Sequence, residues 1–168
     1  MKNFIKYLSV ISGVFLLDLI TKSILLYLIT GGVPFYGNAW GIVRYPYIMA
    51  HVTNWFNIVF TWNPGASFSL LRGVGEFSPW IIVGATGVII ALLIWYLLRR
   101  AGAYEKLPLC FIIGGALGNL IDRIRFGAVI DFLDLHIGTI HWPAFNVADM
   151  FIVIGVAMFI INLVFRKK

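Results

Sequence analysis

Acidic residues are scarce in this chain, and their scarcity makes each of them informative. The 168 residues include seven Asp and Glu against thirteen Lys and Arg, which gives a net charge of +6. Only 12% of the residues are charged and 61% are hydrophobic, whereas soluble domains usually have roughly 25% charged and about 45–50% apolar residues. The shortage of charge therefore excludes an ordinary soluble domain and predicts an integral membrane protein.

The chain has a single cysteine and lacks several catalytic motifs. The single cysteine, Cys110, lies in an apolar run and has no partner for an intrachain disulfide. No glycine-rich phosphate loop, His-x-x-x-His pair or Gly-x-Ser-x-Gly motif is present, which argues against nucleotide, zinc and serine-nucleophile chemistry. We interpret His136 and His141 as loop residues and predict neither a metal nor a cofactor. The basic residues form no patch, so nucleic acid is not an expected partner.

Four apolar stretches are long enough to cross a hydrocarbon core, which needs about 20 residues as a helix. They are residues 4–29, 79–98, 104–123 and 147–165. Eight basic residues form three groups, which lie before the first stretch, near the junction of the second and third, and after the fourth. Four crossings place these eight residues on one side of the membrane. We therefore expect a mainly α, integral membrane fold, one membrane domain over residues 1–168, with both termini in the cytoplasm.

Two segments then lie on the outer side of the membrane. Residues 31–78 include a β-branched and aromatic run, His51–Trp62, followed by a turn signal, which predicts strands. Aromatic residues favour the interface, so we expect a small sheet resting on the membrane, with lipids as partners. Asn63 opens the turn, where it is either structural or, near an active site, able to bind substrate backbone. Residues 124–146 are expected to form a loop.

Four of the seven acids fall within 28 residues, at or between the ends of the last two spans, and we select three of them as candidates: Asp122, Asp131 and Asp149. An ionisable group near a bilayer is costly and indicates a functional site by default. Asp131 and Asp149 lie at the outer ends of neighbouring spans, so both can reach one depth. Two close carboxylates share a proton and can activate water against an amide. Taken singly, Asp149 could instead cap a helix after Asn146, and Asp131 could face water.

The remaining polar residues of the spans have structural interpretations. Asp122 lies one turn from Asn119 and beside Arg123, so we interpret it as a structural or positioning residue. Asp18 and Lys22 lie four residues apart on one helix face and are expected to neutralise each other. Direct involvement of this pair in function stays open.

Five blocks, in order along nearly the whole chain, resemble the lipoprotein signal peptidase family (signal peptidase II), the bacterial inner-membrane aspartyl proteases. The blocks are Asp18-Leu-Ile-Thr-Lys22, Asn63-Pro-Gly-Ala-Ser-Phe-Ser69, Gly114-Gly-Ala-Leu-Gly-Asn-Leu-Ile-Asp-Arg123, Val129-Ile-Asp-Phe132 and Pro143-Ala-Phe-Asn-Val-Ala-Asp149. Each block alone is weak, whereas the ordered set is specific.

The resemblance implies a fold, a reaction and a set of residues. The fold would be four transmembrane helices with a small periplasmic β-cradle. The enzyme would cut a diacylglyceryl-modified prolipoprotein before its lipidated cysteine, and globomycin would inhibit it. The implied residues are the catalytic dyad Asp131 and Asp149, the substrate-binding Asn63, Asn119, Arg123 and Asn146, and the supporting Asp18, Lys22, Gly115 and Asp122.

The chain also departs from the family pattern. Leu19 replaces an expected Gln, Pro64 replaces a small polar residue, and residues 37–50 look inserted. Two functions of other classes compete with proteolysis. One is a small proton-coupled transporter with a relay of Asp18, Lys22 and Asp122. The other is a non-enzymatic chaperone or lipid-binding module.

Overall fold

The chain folds into four long helices and four strands in a computed structural model, which describes residues 2–31, 50–65 and 78–165. The helices are α1 (Lys2–Ile29), α2 (Ser78–Arg99), α3 (Lys106–Phe126) and α4 (Val147–Phe165). The strands are β1 (Ala50–Thr53), β2 (Phe56–Asn63), β3 (Val129–Ile137) and β4 (Ile140–His141). The apparent insertion lies outside the described residues, except for Ala50 at the start of β1.

All four helices are long and apolar enough to cross a bilayer. The candidate spans cover residues 4–29, 80–99, 106–126 and 147–165, with mean hydropathies of 1.8, 2.6, 1.4 and 2.5. The expected architecture of four membrane helices and a small sheet is thereby confirmed. Helix α3 runs to Phe126, three residues past its predicted end. Gly127 stops it with a φ of 78°, and its N–H donates to the Arg123 carbonyl, as in an αL cap.

The described chain divides into two units. The first contains residues 2–20, 84–120 and 147–165, and is entirely helical apart from short turns. Its core consists of five buried side chains of α2 and α3: Ile90, Leu97, Leu109, Cys110 and Ile113. The side chain of Cys110 is fully buried, as its position in an apolar run predicts. The expectation of one membrane domain stays a prediction.

Glycines on α3 allow the helices of the first unit to approach closely. A Cβ on Gly114 would lie 2.8 Å from Val14 Cβ of α1, and one on Gly118 would collide with the Asp18 carboxylate. On the neighbouring face, a Cβ on Gly115 would collide with the Ala148 carbonyl oxygen of α4. Lipid tails are as apolar as leucine, so close contact between small residues is what holds membrane helices together.

The second unit contains residues 21–31, 50–65, 78–83 and 121–146 and includes the sheet. Its strands lie in the order β1-β2-β3-β4, and each pairs antiparallel with its neighbour. Strands β1 and β2 confirm the strand prediction. Strands β3 and β4 lie where we expected a loop, so that expectation is wrong. The acids at 131 and 134 interrupt the apolar pattern of β3, and the partner strand β2 is distant in sequence, so local patterns could not reveal the pairing.

The register between β2 and β3 changes once. On one side of the change Asn57 pairs with Asp134, and on the other side Asn63 pairs with Val129. Six steps along β2 therefore face five steps along β3, which means that β2 contains one extra residue, a β-bulge. The bulge lies between Ile58 and Thr61.

The substitution Gly115→Ala is expected to destabilise the protein by about 1–3 kcal/mol, because the new methyl group must displace helix backbone in a closely packed interface. The temperature of thermal unfolding in detergent micelles measures this effect.

A matched control is Gly84→Ala in α2, where an added Cβ meets nothing within 4 Å. That variant is expected to be neutral or slightly stabilised, since alanine is the better helix former. Equal unfolding temperatures for the two variants would contradict the packing argument.

Candidate active site

Asp131 lies in the buried half of β3 and accepts a hydrogen bond at each carboxylate oxygen. Residues 129–132 are all buried, and Asp131 is 1% exposed. Asn63 Nδ2 donates to Oδ2 over 2.8 Å, and Asn146 Nδ2 donates to Oδ1 over 2.7 Å. The two amides replace the water that burial removes. This predicted catalytic carboxylate is therefore held in one orientation, and its alternative interpretation as a water-facing loop residue is wrong.

Asn63 uses its two amide ends for different tasks. Its Oδ1 accepts from the backbone N–H of Gly65 over 2.8 Å, which closes a turn two residues on, as Asn side chains commonly do. Gly65 adopts a φ of 98°, a value that suits glycine because it lacks a Cβ. With Oδ1 fixed by the turn, Nδ2 points to Asp131. One side chain thus closes the turn and donates to Asp131, and its binding of substrate backbone stays a prediction.

Asn146 ends the second unit immediately before helix α4, at the N-cap position. It is fully buried. Its Nδ2 donates to the Ile130 carbonyl oxygen over 3.2 Å as well as to Asp131, so both amide hydrogens are directed at β3. Both hydrogen bonds lie within the second unit and hold the Asn146 amide against the strand that contains the predicted catalytic carboxylate.

Asp149 lies in the first turn of α4, in the first unit, where a negative charge is favoured by the helix dipole. Asn119 of α3 donates from Nδ2 to Asp149 Oδ1 over 2.8 Å. Asn119 is buried and Asp149 is partly exposed. Asn119, which the resemblance assigns to substrate binding, is therefore a hydrogen-bond donor to a predicted catalytic carboxylate.

Asp18 of α1 supports the start of α4 in the same unit. It is fully buried, and its Oδ1 accepts from the backbone N–H of Ala148 over 2.9 Å. The first N–H groups of a helix have no intrahelical acceptor, so this carboxylate satisfies one of them. Asp18 is in this way a supporting residue for the turn that contains Asp149.

Lys22 and Asp122 form a buried ion pair in the second unit. Lys22 Nζ lies 2.8 Å from Asp122 Oδ2, and each side chain is 3% exposed. The backbone N–H of Ile130 also donates to Asp122 Oδ2, over 3.3 Å. Asp122 thereby connects α1 and α3 to β3, in accordance with a structural or positioning role. The expected pair of Asp18 and Lys22 stays a prediction.

Two further expectations concern Arg123 and metals. Arg123 lies half-buried in the last turn of α3, where a positive charge suits the helix dipole, and its contact with substrate stays a prediction. In the described ranges, no group of three or more His, Cys, Asp or Glu side chains has a geometry that could hold a metal ion.

Four polar residues that the sequence analysis did not select form a hydrogen-bonded chain across the sheet, one from each strand. They are His51, Asn57, Asp134 and His141. The signal that could have revealed them is the spacing of Asp131 and Asp134. Two acids an odd number of residues apart in an apolar run point to opposite faces of a strand.

Asp134 is nearly buried, and its surroundings favour the charged form. Burial raises the pKa of Asp134, but hydrogen bonds from Asn57 and His141 and the charges of His141 and His136 outweigh burial. Together they bring the pKa below its ordinary value of 3.8. Asp134 is therefore ionised at neutral pH and can accept hydrogen bonds at both oxygens.

Comparison with known proteins decides the family of this chain. A model of the family described as Signal peptidase (SPase) II matches residues 10–165. The chain belongs to the signal peptidase II family. The resemblance inferred from the five sequence blocks is thereby confirmed.

Relatives and solved structures agree with the signal peptidase II assignment. The lipoprotein signal peptidase of Paraburkholderia phytofirmans is 46% identical over 121 residues, which cover 70% of each chain. That of Syntrophus aciditrophicus is 41% identical over 120 residues, which cover 70% of this chain and 74% of the relative. A bacterial membrane enzyme solved by the in meso method at 1.9 Å has a TM-score of 0.68 and 28% identity, covering 97% of this chain and 94% of that one.

In this signal peptidase II chain, Lys22→Met is expected to lower the free energy of unfolding by about 3–5 kcal/mol, because it leaves the buried Asp122 charge without its ion partner. Thermal unfolding in detergent micelles measures the loss. Lys6→Met is the control, since Lys6 lies exposed on the same helix, where a change within about 0.5 kcal/mol is expected. Equal losses in the two variants would refute a stabilising ion pair.

The stability of the sheet is expected to decrease in acid through Asp134. Because its folded pKa lies below its ordinary value, its contribution is present above pH 3.8 and disappears as the pH falls through the folded pKa. Asp134→Asn should therefore show a smaller fall in unfolding temperature between neutral pH and strong acid than the unsubstituted protein. Parallel curves for the two proteins over this range would contradict the argument.

Proposed function

We propose that this protein is the endopeptidase that removes the signal peptide from diacylglyceryl-modified prolipoproteins, and that Asp131 and Asp149 form its catalytic dyad. The family supports the reaction, since curated relatives at 41–47% identity are lipoprotein signal peptidases. The observation that carries the dyad is that each carboxylate has its own side-chain amide donors.

The chain path supports one site for both carboxylates. Asn146 donates to Asp131, and Asp149 follows Asn146 by three residues in the first turn of α4. A segment of four residues thus contains both a hydrogen-bond donor to one acid and the second acid. We propose that the two carboxyl groups lie close enough to share a single proton.

The proposed reaction is attack of water on the amide bond before the lipidated cysteine. The ionised carboxylate takes a proton from water, and the protonated one hydrogen-bonds the carbonyl oxygen and then protonates the leaving amine. Asp131 accepts amide hydrogens at both oxygens, which suits a carboxylate because a carboxylic acid would direct its O–H at a donor. We therefore propose Asp131 as the base and Asp149 as the acid.

We propose a role for the asparagines in addition to the substrate binding that the resemblance implies. Asn63, Asn119 and Asn146 each donate to a dyad carboxylate, so we propose that they orient the acids before substrate arrives. Such preorganisation lowers the barrier because no groups need to rotate during the reaction. We propose Arg123 as the residue that donates to substrate carbonyls.

The location follows from the same proposal. The protein spans the bacterial inner membrane four times with both termini in the cytoplasm, as the basic residues predict. The dyad then lies at the periplasmic side, where the signal helix enters from the membrane and the diacylglyceryl group stays among lipid chains. Globomycin is expected to inhibit by occupying this site.

The deciding experiment uses purified protein with a lipidated and an unlipidated prolipoprotein, with and without globomycin. Asp131→Asn and Asp149→Asn are each expected to lower the cleavage rate by at least about 10²–10⁴-fold, the usual contribution of general acid–base catalysis. Unfolding temperatures near that of the unsubstituted protein would show that both variants are folded.

Glu105→Gln provides a matched control. It removes a carboxylate that accepts hydrogen bonds from the Tyr96 hydroxyl of α2 and from the N–H of Gly102, in the turn between α2 and α3. We expect it to cleave at a normal rate. Near-normal cleavage by both aspartate variants would refute the dyad, and equal cleavage of the unlipidated substrate would refute the substrate class.

A further inference from the structure

Thr61 of β2 lies directly opposite the proposed catalytic base. The register of the two strands pairs Thr61 with Asp131 and Asn63 with Val129. Directly opposite residues of an antiparallel pair point to the same face of the sheet, with Cβ atoms about 4.5–5.5 Å apart. Asn63 follows Thr61 by two residues, which places it on this face as well. The side chains of Thr61 and Asn63 therefore both lie beside the Asp131 carboxylate.

The bulge in β2 decides which side chain lies opposite Asp131. On the other side of the bulge, Asn57 pairs with Asp134. If that register continued without the extra residue, Phe60 would lie opposite Asp131. The bulge advances the chain by one residue and brings Thr61 to this position, in keeping with the tendency of bulges to redirect side chains next to active sites. A hydroxyl group thus takes the place of a phenyl ring beside the carboxylate.

The hydroxyl of Thr61 makes no hydrogen bond in the part of the chain that the structure describes. Thr61 is half-buried, and its oxygen is not one of the buried polar atoms without a partner in these residues. Water therefore reaches this hydroxyl. A threonine hydroxyl has one hydrogen to donate and two lone pairs to accept with, so its whole capacity is open to a water molecule or to substrate.

The geometry favours a water bridge between Thr61 and Asp131. The two side chains make no direct hydrogen bond, although they are cross-strand neighbours. Asn63 and Asn146 each donate one hydrogen bond to Asp131, and a carboxylate can accept about four. Polar groups that face each other beyond direct reach are commonly bridged by water. A water between the two side chains would donate one hydrogen to the carboxylate and the other to Thr61 Oγ1.

A second hydrogen bond matters because the reaction needs the water in one orientation. A water held by the base alone can rotate about that single bond, and its attacking lone pair then points in many directions. Holding reactants in the geometry of attack is a large part of what an active site contributes. A hydroxyl that accepts the second hydrogen fixes the water and leaves a lone pair for the carbonyl carbon of the substrate.

We propose that Thr61 is a positioning residue that orients the attacking water beside Asp131. The water oxygen forms the bond to the carbonyl carbon while Asp131 takes one of the water hydrogens as a proton. Thr61 accepts a hydrogen bond from the other hydrogen and neither gains nor loses a proton. This inference rests on the proposed function. The alternative is that Thr61 only suits a strand through its β-branched shape, in which case valine would serve equally well.

The experiment compares Thr61→Val with Thr61→Ser in the cleavage of a lipidated prolipoprotein. Valine keeps the shape and removes the hydroxyl, so kcat is expected to fall about 10-fold with little change in KM, as for the loss of one hydrogen bond. Thr61→Ser keeps the hydroxyl and should retain a near-normal kcat. The control Thr139→Val removes an exposed hydroxyl from the turn between β3 and β4 and should cleave at a normal rate. Unchanged unfolding temperatures would show that all three variants are folded.

The pH dependence of kcat/KM separates contact with the water from contact with the carboxylate. If the hydroxyl donated to the Asp131 carboxylate, its loss would move the acidic limb of the profile to higher pH. Because it contacts the water instead, Thr61→Val should leave the position of the profile unchanged.

Three results would each overturn the proposal: a shifted profile, a normal kcat for Thr61→Val, or a loss as large as that of Asp131→Asn, which would make Thr61 a nucleophile. An inactive Asp131→Asn together with a fully active Thr61→Val would refute the role of Thr61 and leave the dyad intact. Cleavage by Asp131→Asn at a near-normal rate would instead refute the dyad and the role of Thr61 together.

Discussion

Removal of carboxylates from water is the constraint on which this structure depends. An aspartate near or within a bilayer must exchange its hydration for donors of the protein, since an unsatisfied buried charge costs several kcal/mol or more. The five aspartates within or between the described spans all meet this demand, each with different donors. The partners are Ala148 N–H for Asp18, Lys22 and Ile130 N–H for Asp122, Asn63 and Asn146 for Asp131, Asn57 and His141 for Asp134, and Asn119 for Asp149.

The helices and the sheet supply these donors in different ways. Helices α1, α3 and α4 approach closely because glycine faces them at positions 114, 115 and 118, so short side chains reach across. In the sheet, the strand register determines which side chains meet, because cross-strand neighbours lie within hydrogen-bond reach. The bulge in β2 directs Asn57 and Asn63 to opposite faces. Glycines at helix contacts and the pairing of strands thus determine where the polar side chains lie. Neither feature takes part in a reaction itself.

The four spans and the two candidate acids could be predicted from the sequence. The contacts of the asparagines and strand β3 could not, for physical reasons. Four spans follow from hydropathy because lipid requires every backbone group to be satisfied within a helix. Asp131 and Asp149 stood out because acids are few and costly in such a chain. The resemblance implied substrate binding for Asn63, Asn119 and Asn146, whereas their hydrogen bonds to the acids join segments that are distant in sequence and could not be predicted from local patterns. Strand β3 was missed for the same reason: its pairing with β2 joins residues up to 79 positions apart, as between Phe56 and Leu135.

The bulge in β2 has a consequence for how this strand can change in evolution or in engineered variants. Deleting one residue between Asn57 and Asn63 would remove the extra residue, so that five steps along β2 face five steps along β3 and both asparagines keep their present cross-strand partners in a regular ladder. Deleting two residues would leave β2 one residue short and turn the Asn63 side chain to the opposite face. A single-residue deletion is therefore the shortening of this stretch that keeps the Asn63 amide on the face of Asp131.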